Sequence, residues 1–272
     1  MKTIAVIDAC VLFQMPLCDT LLRIAEEELY RLHLSQKILD ETTNNLVKKN
    51  KMTKEKADRY QQQIKQYFPE SIVEDYESLI PLMTNEPKDR HVLAAAVKIK
   101  ADVIITFNLK DFPLESLQLF DIKAQHPDRF LLDLFSNYGI DTGAEIVKQQ
   151  TAALKDPPVK MIETIKRLNG QVPDFAKWVL FNEYSDYLLN IAHKILKSIG
   201  NKKQDKIFYK GKKYYLEKQH GVLKVEHISR GEILKQTRDG IAGNFTFNDL
   251  ERFENFEREL DKQFHRINKD RF

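Results

Sequence analysis

The sequence predicts an α/β fold over residues 1–180, built on a parallel sheet, and a small α+β region over residues 181–272. In the first region, short apolar runs of the strand type alternate with amphipathic helical stretches. That alternation is typical of a parallel sheet covered by helices on both faces. In the second region, turn signals around Gly211 and Gly221 separate β-rich runs, which indicates a small antiparallel meander.

Two strand-like runs and four helical stretches organise the first region. The runs Thr3–Ile7 and Val103–Phe107 are short and apolar, as expected of buried strands. Apolar residues at helical spacing predict helices over Leu17–Leu29, Gln36–Lys48, Thr53–Tyr67 and Pro87–Lys100. A proline in the first turn opens the last of these helices. Further helical pieces follow between residues 128 and 166.

The second region is predicted to begin and end with a helix. Residues 181–200 place apolar and tyrosine side chains at helical spacing, which indicates an amphipathic helix leading out of the first region. A closing helix is predicted from Asn248 to His265, because Thr246 and Asp249 form a capping pattern at its start. Three phenylalanines near this helix are expected in the core rather than on a ligand surface: Phe247, Phe253 and Phe256.

Composition excludes several classes of protein. With 272 residues, 42% hydrophobic and 31% charged, the chain can bury a sizeable core and is not intrinsically disordered. A net charge of +3 is too small to predict nucleic-acid or membrane binding by itself. Cys10 and Cys18 are too few for a disulfide framework, and no apolar run suits a signal peptide or a bilayer span. We therefore expect a soluble, cytoplasmic protein without membrane association.

Polar side chains follow both strand-like runs. Asp8 comes directly after the first run, and Thr106, Asn108 and Asp111 come at or just after the end of the second. Because the carboxyl ends of parallel strands border the binding crevice of an open α/β sheet, these are candidate site residues. The alternative is local: Asp8 and Asp111 cap the turns or helices that follow, while Thr106 and Asn108 bond to turn backbone.

Asp89 is predicted to point inward from its helix. Three apolar residues share its helical face: Leu93, Ala96 and Val97. An alternative role for Asp89 is that of a first-turn carboxylate, which the helix dipole stabilises by about 0.3 to 1 kcal/mol and which is compatible with metal binding. Arg90 and His91 lie off that face. We interpret Arg90 as solvated and His91 as a candidate for substrate contact.

Glu41 is the acid of the second predicted helix that best suits a site. Glu41 and Asn45 fall at the edge of the apolar stripe of this helix, whereas Asp40 falls opposite. The alternative for Glu41 is an ordinary glutamate on a solvent-facing helix surface.

Carboxylates that converge in one crevice need a cation. They repel one another, and burial raises their pKa values, so a cluster is stable mainly when an ion neutralises it. Oxygen ligands without histidine or cysteine select Mg²⁺ or Mn²⁺. Such an ion lowers the pKa of a bound water and orients it towards a phosphodiester. The pattern therefore predicts metal-dependent phosphodiester hydrolysis.

Four stretches occur in order along the chain: DACVLFQMPLCDTLLRIA, ILDETTNNL, EPKDRHVLAAAVKIKADVIITFNLKDFP and AQHPDRFLLDL. Together they resemble the PIN-domain nucleases, specifically the toxin components of type II toxin–antitoxin pairs. The resemblance covers about residues 1–178. It implies a PIN-like α/β/α fold and an Mg²⁺- or Mn²⁺-dependent endoribonuclease that cuts single-stranded RNA. It also implies a cognate antitoxin as a partner and, because dimers are common in the family, a homodimer.

The resemblance assigns roles to the candidate residues. Asp8, Glu41 and Asp89 match the three core acids of the family, and Asp111 or Asn108 takes the more variable fourth place. Asp8 and Asp89 are implied as direct metal ligands, with Asp111 as a further one. Glu41 is implied either as a ligand or as the residue that positions the attacking water.

Other residues are implied to support this site. Thr106 and Asn45 stand next to the matched acids, and Arg90 and His91 follow Asp89. Asn108 stands where other branches of the family have an acid, so one firmly held ion with a transient second fits these residues as well as a stable pair.

The region after residue 181 lies outside the resemblance. Between Lys194 and Arg238, 13 basic residues face 4 acids, which suits contact with a polyanion. Three interleaved tyrosines suit base stacking: Tyr209, Tyr214 and Tyr215. A solvated, lysine-rich sheet face explains the same residues. The region is therefore an RNA-binding module, an inhibitor docked in cis, or a dimerisation element.

Two other functions compete with the nuclease. A binding module for RNA or protein keeps the fold without turnover, because its fourth acid is incomplete or because the C-terminal region covers the crevice. A phosphoryl-transfer enzyme of the receiver or haloacid-dehalogenase type is disfavoured. Ala9 and Cys10 follow Asp8 in place of a second aspartate, and the sequence has no glycine-rich phosphate loop.

Overall fold

A computed structural model describes residues 2–203 and 205–269, without the side chains of residue 140 and residues 263–269. Its contacts divide the chain into two compact units, Met1–Phe175 and Ala176–Phe272. The predicted boundary after residue 180 stays a prediction. Within the described ranges, no helix combines the length and the apolarity needed to cross a lipid bilayer.

A parallel five-stranded sheet forms the centre of the first unit, which confirms the predicted α/β class. Its strands are β1 Ile4–Ile7, β2 Arg31–Ser35, β3 Ile72–Val73, β4 Val103–Ile105 and β5 Lys123–Gln125. The strand order is β3-β2-β1-β4-β5, so β1 is central. Its last three residues are fully buried, as expected of an apolar strand with neighbours on both sides.

Helices flank this sheet. In chain order they are α1 Ala9–Leu12, α2 Leu17–Glu26, α3 Gln36–Lys48, α4 Lys54–Tyr67, α5 Arg90–Lys98, α6 Leu114–Leu117, α7 Pro127–Tyr138, α8 Ile140–Ala153 and α9 Met161–Asn169. Helix α2 ends before the predicted Leu29, because Glu28 adopts a left-handed φ of 54° that a helix cannot continue through. The predicted helix Pro87–Lys100 is divided: Pro87–Asp89 forms a one-turn 3-10 helix, and α5 starts at Arg90.

The second unit contains an antiparallel sheet and helices, which confirms the predicted α+β region. Its six strands are β6 Asn201–Lys203, β7 Lys206–Lys210, β8 Tyr214–Gln219, β9 Val222–His227, β10 Gly231–Thr237 and β11 Gly240–Gly243. They pair in chain order. The long helix α10 Pro173–Ile199 begins eight residues earlier than the predicted start at 181, and α11 Phe247–Lys269 closes the described chain.

A capping box starts helix α11, as the sequence predicts. The Thr246 N–H donates to Asp249 Oδ2 at 2.7 Å, and the Asp249 N–H donates to Thr246 Oγ1 at 3.4 Å. The buried Asp249 carboxylate also accepts hydrogen bonds from Arg230 and from the Tyr214 hydroxyl. Burial alone raises the pKa of Asp249, but these donors outweigh it and hold the pKa below its ordinary value.

The aromatic core of the second unit differs in part from the prediction. Phe253 is buried, as predicted. Phe256 is half-buried and contacts the Tyr209 ring at a centroid distance of 5.6 Å, and Phe247 is also half-buried. Phe245, which the sequence analysis did not single out, is buried.

Candidate active site

Asp8 directly follows the central strand β1 and continues its pairing with β4. Its N–H donates to the carbonyl of Ile105 in β4 at 3.0 Å, and its side chain is only 4% exposed. Oδ1 accepts a long bond of 3.5 Å from the Cys10 N–H, so Asp8 caps helix α1. Oδ2 accepts a hydrogen bond of 2.7 Å from the Thr106 hydroxyl. Asp8 therefore caps helix α1, and this role is compatible with a role in the candidate site.

Thr106 fixes the orientation of Asp8. It follows β4, is fully buried, and donates its hydroxyl proton to Asp8. The same hydroxyl oxygen accepts a hydrogen bond of 3.0 Å from the Asn108 N–H, so it also bonds to turn backbone. Asn108 itself is half-buried.

Asp89 and Asp111 occupy matching local structures. Each ends a one-turn 3-10 helix, Pro87–Asp89 and Leu109–Asp111, and each is buried. The two turns are joined by a hydrogen bond of 3.2 Å from the Glu86 N–H to the Asp111 carbonyl. Asp111 does not cap the helix that follows Pro113, because the start of that helix has no side-chain cap.

One carboxylate oxygen of each of these two residues lacks a hydrogen bond. Oδ2 of Asp89 and Oδ2 of Asp111 are both buried and accept none. The Lys88 ammonium lies 4.0 Å from the first and 3.4 Å from the second, on a side chain that is 64% exposed. These are loose ion pairs, too long or poorly aligned to satisfy a buried oxygen.

The charges of Asp8 and Asp111, from separate segments, act on Asp89. Burial and the negative charges of Asp8 and Asp111, partly offset by the positive charge of Lys88, raise the pKa of Asp89 to about 6. The negative charges of Asp89 and Asp111 raise the pKa of the Lys88 ammonium. The strand ends and the helical face of Asp89 predict that these residues approach one another.

Glu41 forms ion pairs with His91 and Lys37. Its Oε2 lies 3.2 Å from Nε2 of the buried His91, and its Oε1 lies 3.3 Å from the Lys37 ammonium. Burial raises the pKa of Glu41, but His91 and Lys37 outweigh it and leave the pKa below its ordinary value. Asn45, on the same helix, is exposed.

The interpretation of Arg90 as solvated is wrong. Its side chain is half-buried, and Nε donates to the carbonyl of Asn85 at 3.2 Å. Because α5 starts at Arg90 itself, the guanidinium lies next to the preceding loop and satisfies a backbone carbonyl there.

Sequence reasoning missed three residues of this region. Cys10 Sγ lies 3.1 Å from Asp8 Oδ2, and burial together with the charge of Asp8 raises its pKa to about 12, so the thiol is neutral. Lys88 could have been suspected from the repeated Lys-Asp pair at 88–89 and 110–111. Asn85 is buried with neither amide atom hydrogen-bonded, and no sequence signal marks it.

The chemistry of the aspartates fits a hard divalent cation. All donor atoms of the three aspartates are oxygens, and two of these oxygens are buried without a hydrogen bond. Burial and the charges of Asp8 and Asp111 raise the pKa of Asp89. Within the described part of the chain, however, no three His, Cys, Asp or Glu side chains are arranged to hold a metal ion. The donor atoms of the aspartates therefore suit such a cation, but the described residues do not form a complete set of ligands for it.

Comparison with known proteins agrees with this fold. Residues 4–110 match the family model of the PIN domain. This part of the first unit is therefore similar to the PIN domain. This confirms the resemblance that the four sequence motifs indicate, and the matched segment contains Asp8, Glu41, Asp89 and Thr106.

One known protein is similar to part of the chain. Over 101 residues, the chain is 48% identical to a protein of Mycobacterium tuberculosis (strain ATCC 25618 / H37Rv) named "Putative ribonuclease VapC50". The alignment covers 37% of this chain and 59% of that protein. No solved structure matches the chain.

Proposed function

We propose that the chain is an endoribonuclease that depends on Mg²⁺ or Mn²⁺ and hydrolyses phosphodiester bonds of single-stranded RNA. The cluster of Asp8, Asp89 and Asp111 carries the proposal. Burial and the charges of Asp8 and Asp111 raise the pKa of Asp89, and two buried oxygens of the cluster lack a hydrogen-bond donor. The PIN-domain match and the name of the Mycobacterium relative support the same activity.

The residues of the site have separate roles. Asp8 and Asp89, with Asp111, would hold the cation through carboxylate oxygens, and Thr106 keeps Oδ2 of Asp8 in place. A bound divalent ion lowers the pKa of a water molecule and neutralises charge that develops on the phosphate. Glu41 keeps its charge near neutral pH because its pKa is lowered, so it can bind the ion or accept a hydrogen bond from the attacking water.

The remaining predicted site residues are assigned supporting roles. His91 positions the Glu41 carboxylate, and Arg90 holds the loop that precedes the cluster. Asn108 continues the turn in which Thr106 lies. Asn45 stays a prediction as a contact for substrate on the exposed surface of α3.

The test is cleavage of a fluorescent single-stranded RNA by the full chain with Mn²⁺ or Mg²⁺. Asp8→Asn and Asp89→Asn should each lose cleavage by more than about a hundredfold, beyond the loss typical of residues that only support a metal ligand. A chelator should stop cleavage by the unchanged chain. Asp40→Asn is the matched control, because this α3 carboxylate accepts bonds from the Gln36 and Gln61 side-chain amides instead.

Two results would contradict the proposal. Cleavage that survives both aspartate changes would eliminate the mechanism, provided that thermal unfolding shows the variants to be folded. A full chain that binds RNA but never cleaves it would favour the alternative, a module that keeps the PIN fold without turnover.

We also propose that the chain is the toxin of a toxin–antitoxin pair, with a separate antitoxin as its partner. The resemblance and the relative named as a ribonuclease support this role. Induced expression of the full chain in a bacterium should stop growth, and Asp89→Asn should relieve the arrest. Growth arrest that persists in Asp89→Asn would separate toxicity from the nuclease site. The homodimer stays a prediction that sedimentation of the purified chain can test.

A further inference from the structure

One face of the sheet in the second unit has no counterpart in the proposed nuclease site. Directly opposed residues of an antiparallel pair point to the same side of a sheet, and chain neighbours point to opposite sides. Leu216, Val225 and Leu234 lie opposite one another on β8, β9 and β10, and all three are buried. They define the inner face of the sheet. Their chain neighbours define the outer face, except for Ile233 of β10, which is fully buried at a break in strand register between Glu232 and Leu234.

Strand β7 presents a regular pattern on the outer face. Lys206, Phe208 and Lys210 alternate with inner-face residues, so a lysine, an aromatic ring and a second lysine follow one another along this face. Tyr215 of β8 lies opposite Lys210, and Lys203 of β6 lies opposite Lys206. The outer face of these three strands therefore combines three lysines with two aromatic rings.

Charge on the outer face is positive. The row that contains Phe208 continues through Glu217 to Lys224 and Lys235. On the described strands the face thus holds five lysines and three glutamates, the other two being Glu226 and Glu232. Glu217 accepts bonds from Lys206 at 2.7 Å and from the Tyr215 hydroxyl at 2.6 Å, so its charge is neutralised locally.

The two rings of this face lie side by side. The centroids of Phe208 and Tyr215 are 6.2 Å apart, both side chains are half-buried, and the Lys206 ammonium lies 5.7 Å from the Phe208 centroid. Two of the predicted stacking residues are elsewhere. Tyr209 contacts Phe256, and Tyr214 contacts Phe253, both at the inner face. Phe208 thus replaces them, because strand register and not composition decides which side a residue faces.

We propose that this outer face binds single-stranded RNA, with the lysines contacting phosphates and the rings of Phe208 and Tyr215 stacking on unpaired bases. The choice of RNA rests on the proposed nuclease function. Adjacent rings bordered by lysines suit a strand whose bases are free to stack, and such contacts tolerate most sequences. An acidic protein would use the lysines but not the rings.

The test is binding of a fluorescent single-stranded RNA to the full chain in EDTA, which prevents cleavage. The double variant Phe208→Leu/Tyr215→Leu should weaken binding by about tenfold, the size expected for losing base stacking. Tyr215→Phe keeps the ring and should bind normally. The triple variant Lys203→Glu/Lys210→Glu/Lys224→Glu should reduce the slope of log Kd against log salt by about 2, at roughly 0.7 per phosphate contact.

A matched control uses three exposed lysines of the first unit: Lys56, Lys65 and Lys160. Changing these to glutamate should leave the salt slope unchanged. Unaltered binding in both outer-face variants would overturn the proposal. Loss in the lysine variant with none in the ring variant would also overturn it, in favour of a surface for any polyanion, acidic protein included.

The outcomes separate this proposal from the nuclease proposal. If the unchanged chain cleaves RNA and the outer-face variants bind it normally, the outer-face proposal alone fails. If RNA binds through the outer face and is never cleaved, the nuclease proposal alone fails.

Discussion

Lys88 should weaken the binding of a divalent ion to the aspartate cluster. Its ammonium lies 3.4 Å from Oδ2 of Asp111 and 4.0 Å from Oδ2 of Asp89, the two oxygens that lack hydrogen bonds. An incoming ion must displace this ammonium or bind against its repulsion. Lys88→Met removes the charge and keeps most of the stem, so Mn²⁺ should bind more tightly.

The size of the effect follows from the geometry. The Lys88 side chain is 64% exposed and both contacts are long, so each ion pair belongs to the weak surface class. Two such pairs correspond to about a threefold to tenfold fall in Kd for Mn²⁺. Added salt should shrink the difference, because screening weakens exposed pairs first.

The assay is calorimetric titration of Mn²⁺ into the full, metal-free chain. Lys110→Met is the matched control, since Lys110 precedes Asp111 in the corresponding 3-10 turn and is exposed. Lys88→Arg keeps the charge and should retain the original affinity. An unchanged or higher Kd in Lys88→Met would refute the reasoning, as would an equal gain in Lys110→Met.

Three further predictions concern single side chains. Thr106→Val should weaken Mn²⁺ binding by about tenfold in the same titration, because the Asp8 carboxylate loses the hydrogen bond from the Thr106 hydroxyl, and Thr106→Ser should restore it. Asp128→Ala should lower the free energy of unfolding in urea by about 1–2 kcal/mol, since its carboxylate accepts from two N–H groups at the start of α10; no loss would contradict this role. Asp249→Asn should cost about 2 kcal/mol at pH 7. The pKa of Asp249 is lowered in the fold, so this contribution is complete above about pH 4 and is lost as pH falls through the lowered pKa. If the difference in the free energy of unfolding between the variant and the unchanged chain does not narrow in acid, the prediction is contradicted.

The sequence predicted the elements whose residues carry a strong periodic or apolar signal. Strands β1 and β4 are continuous apolar runs, and α3 and α4 were placed to within a residue or so of their bounds. Strands β3 and β5 have two and three residues, too few for any period to appear. Helix α10 starts earlier than the apolar spacing predicts, at Pro173, a residue suited to a first helical turn.

The sequence predicts those candidate site residues whose positions follow from the topology of the sheet. The strand-end rule was enough to select Asp8, Thr106 and Asp111, because parallel strands end at one edge. Side-chain reach was not predictable: the position of Lys88 and the contact of Arg90 with a loop carbonyl depend on where α5 starts. In the second unit, too, side-chain placement was not predictable. A shift of one residue in strand register would exchange the sides that Phe208 and Tyr209 face, and the observed register places Phe208 outward.

The central claim is that Asp8 and Asp89 together bind a divalent ion that serves hydrolysis. The most direct measurement is an anomalous difference map from crystals of the full chain soaked in Mn²⁺. The account predicts a peak between the carboxylates of Asp8 and Asp89 that disappears in Asp89→Asn. A map with no peak at these side chains, at Mn²⁺ concentrations that support RNA cleavage, would contradict it.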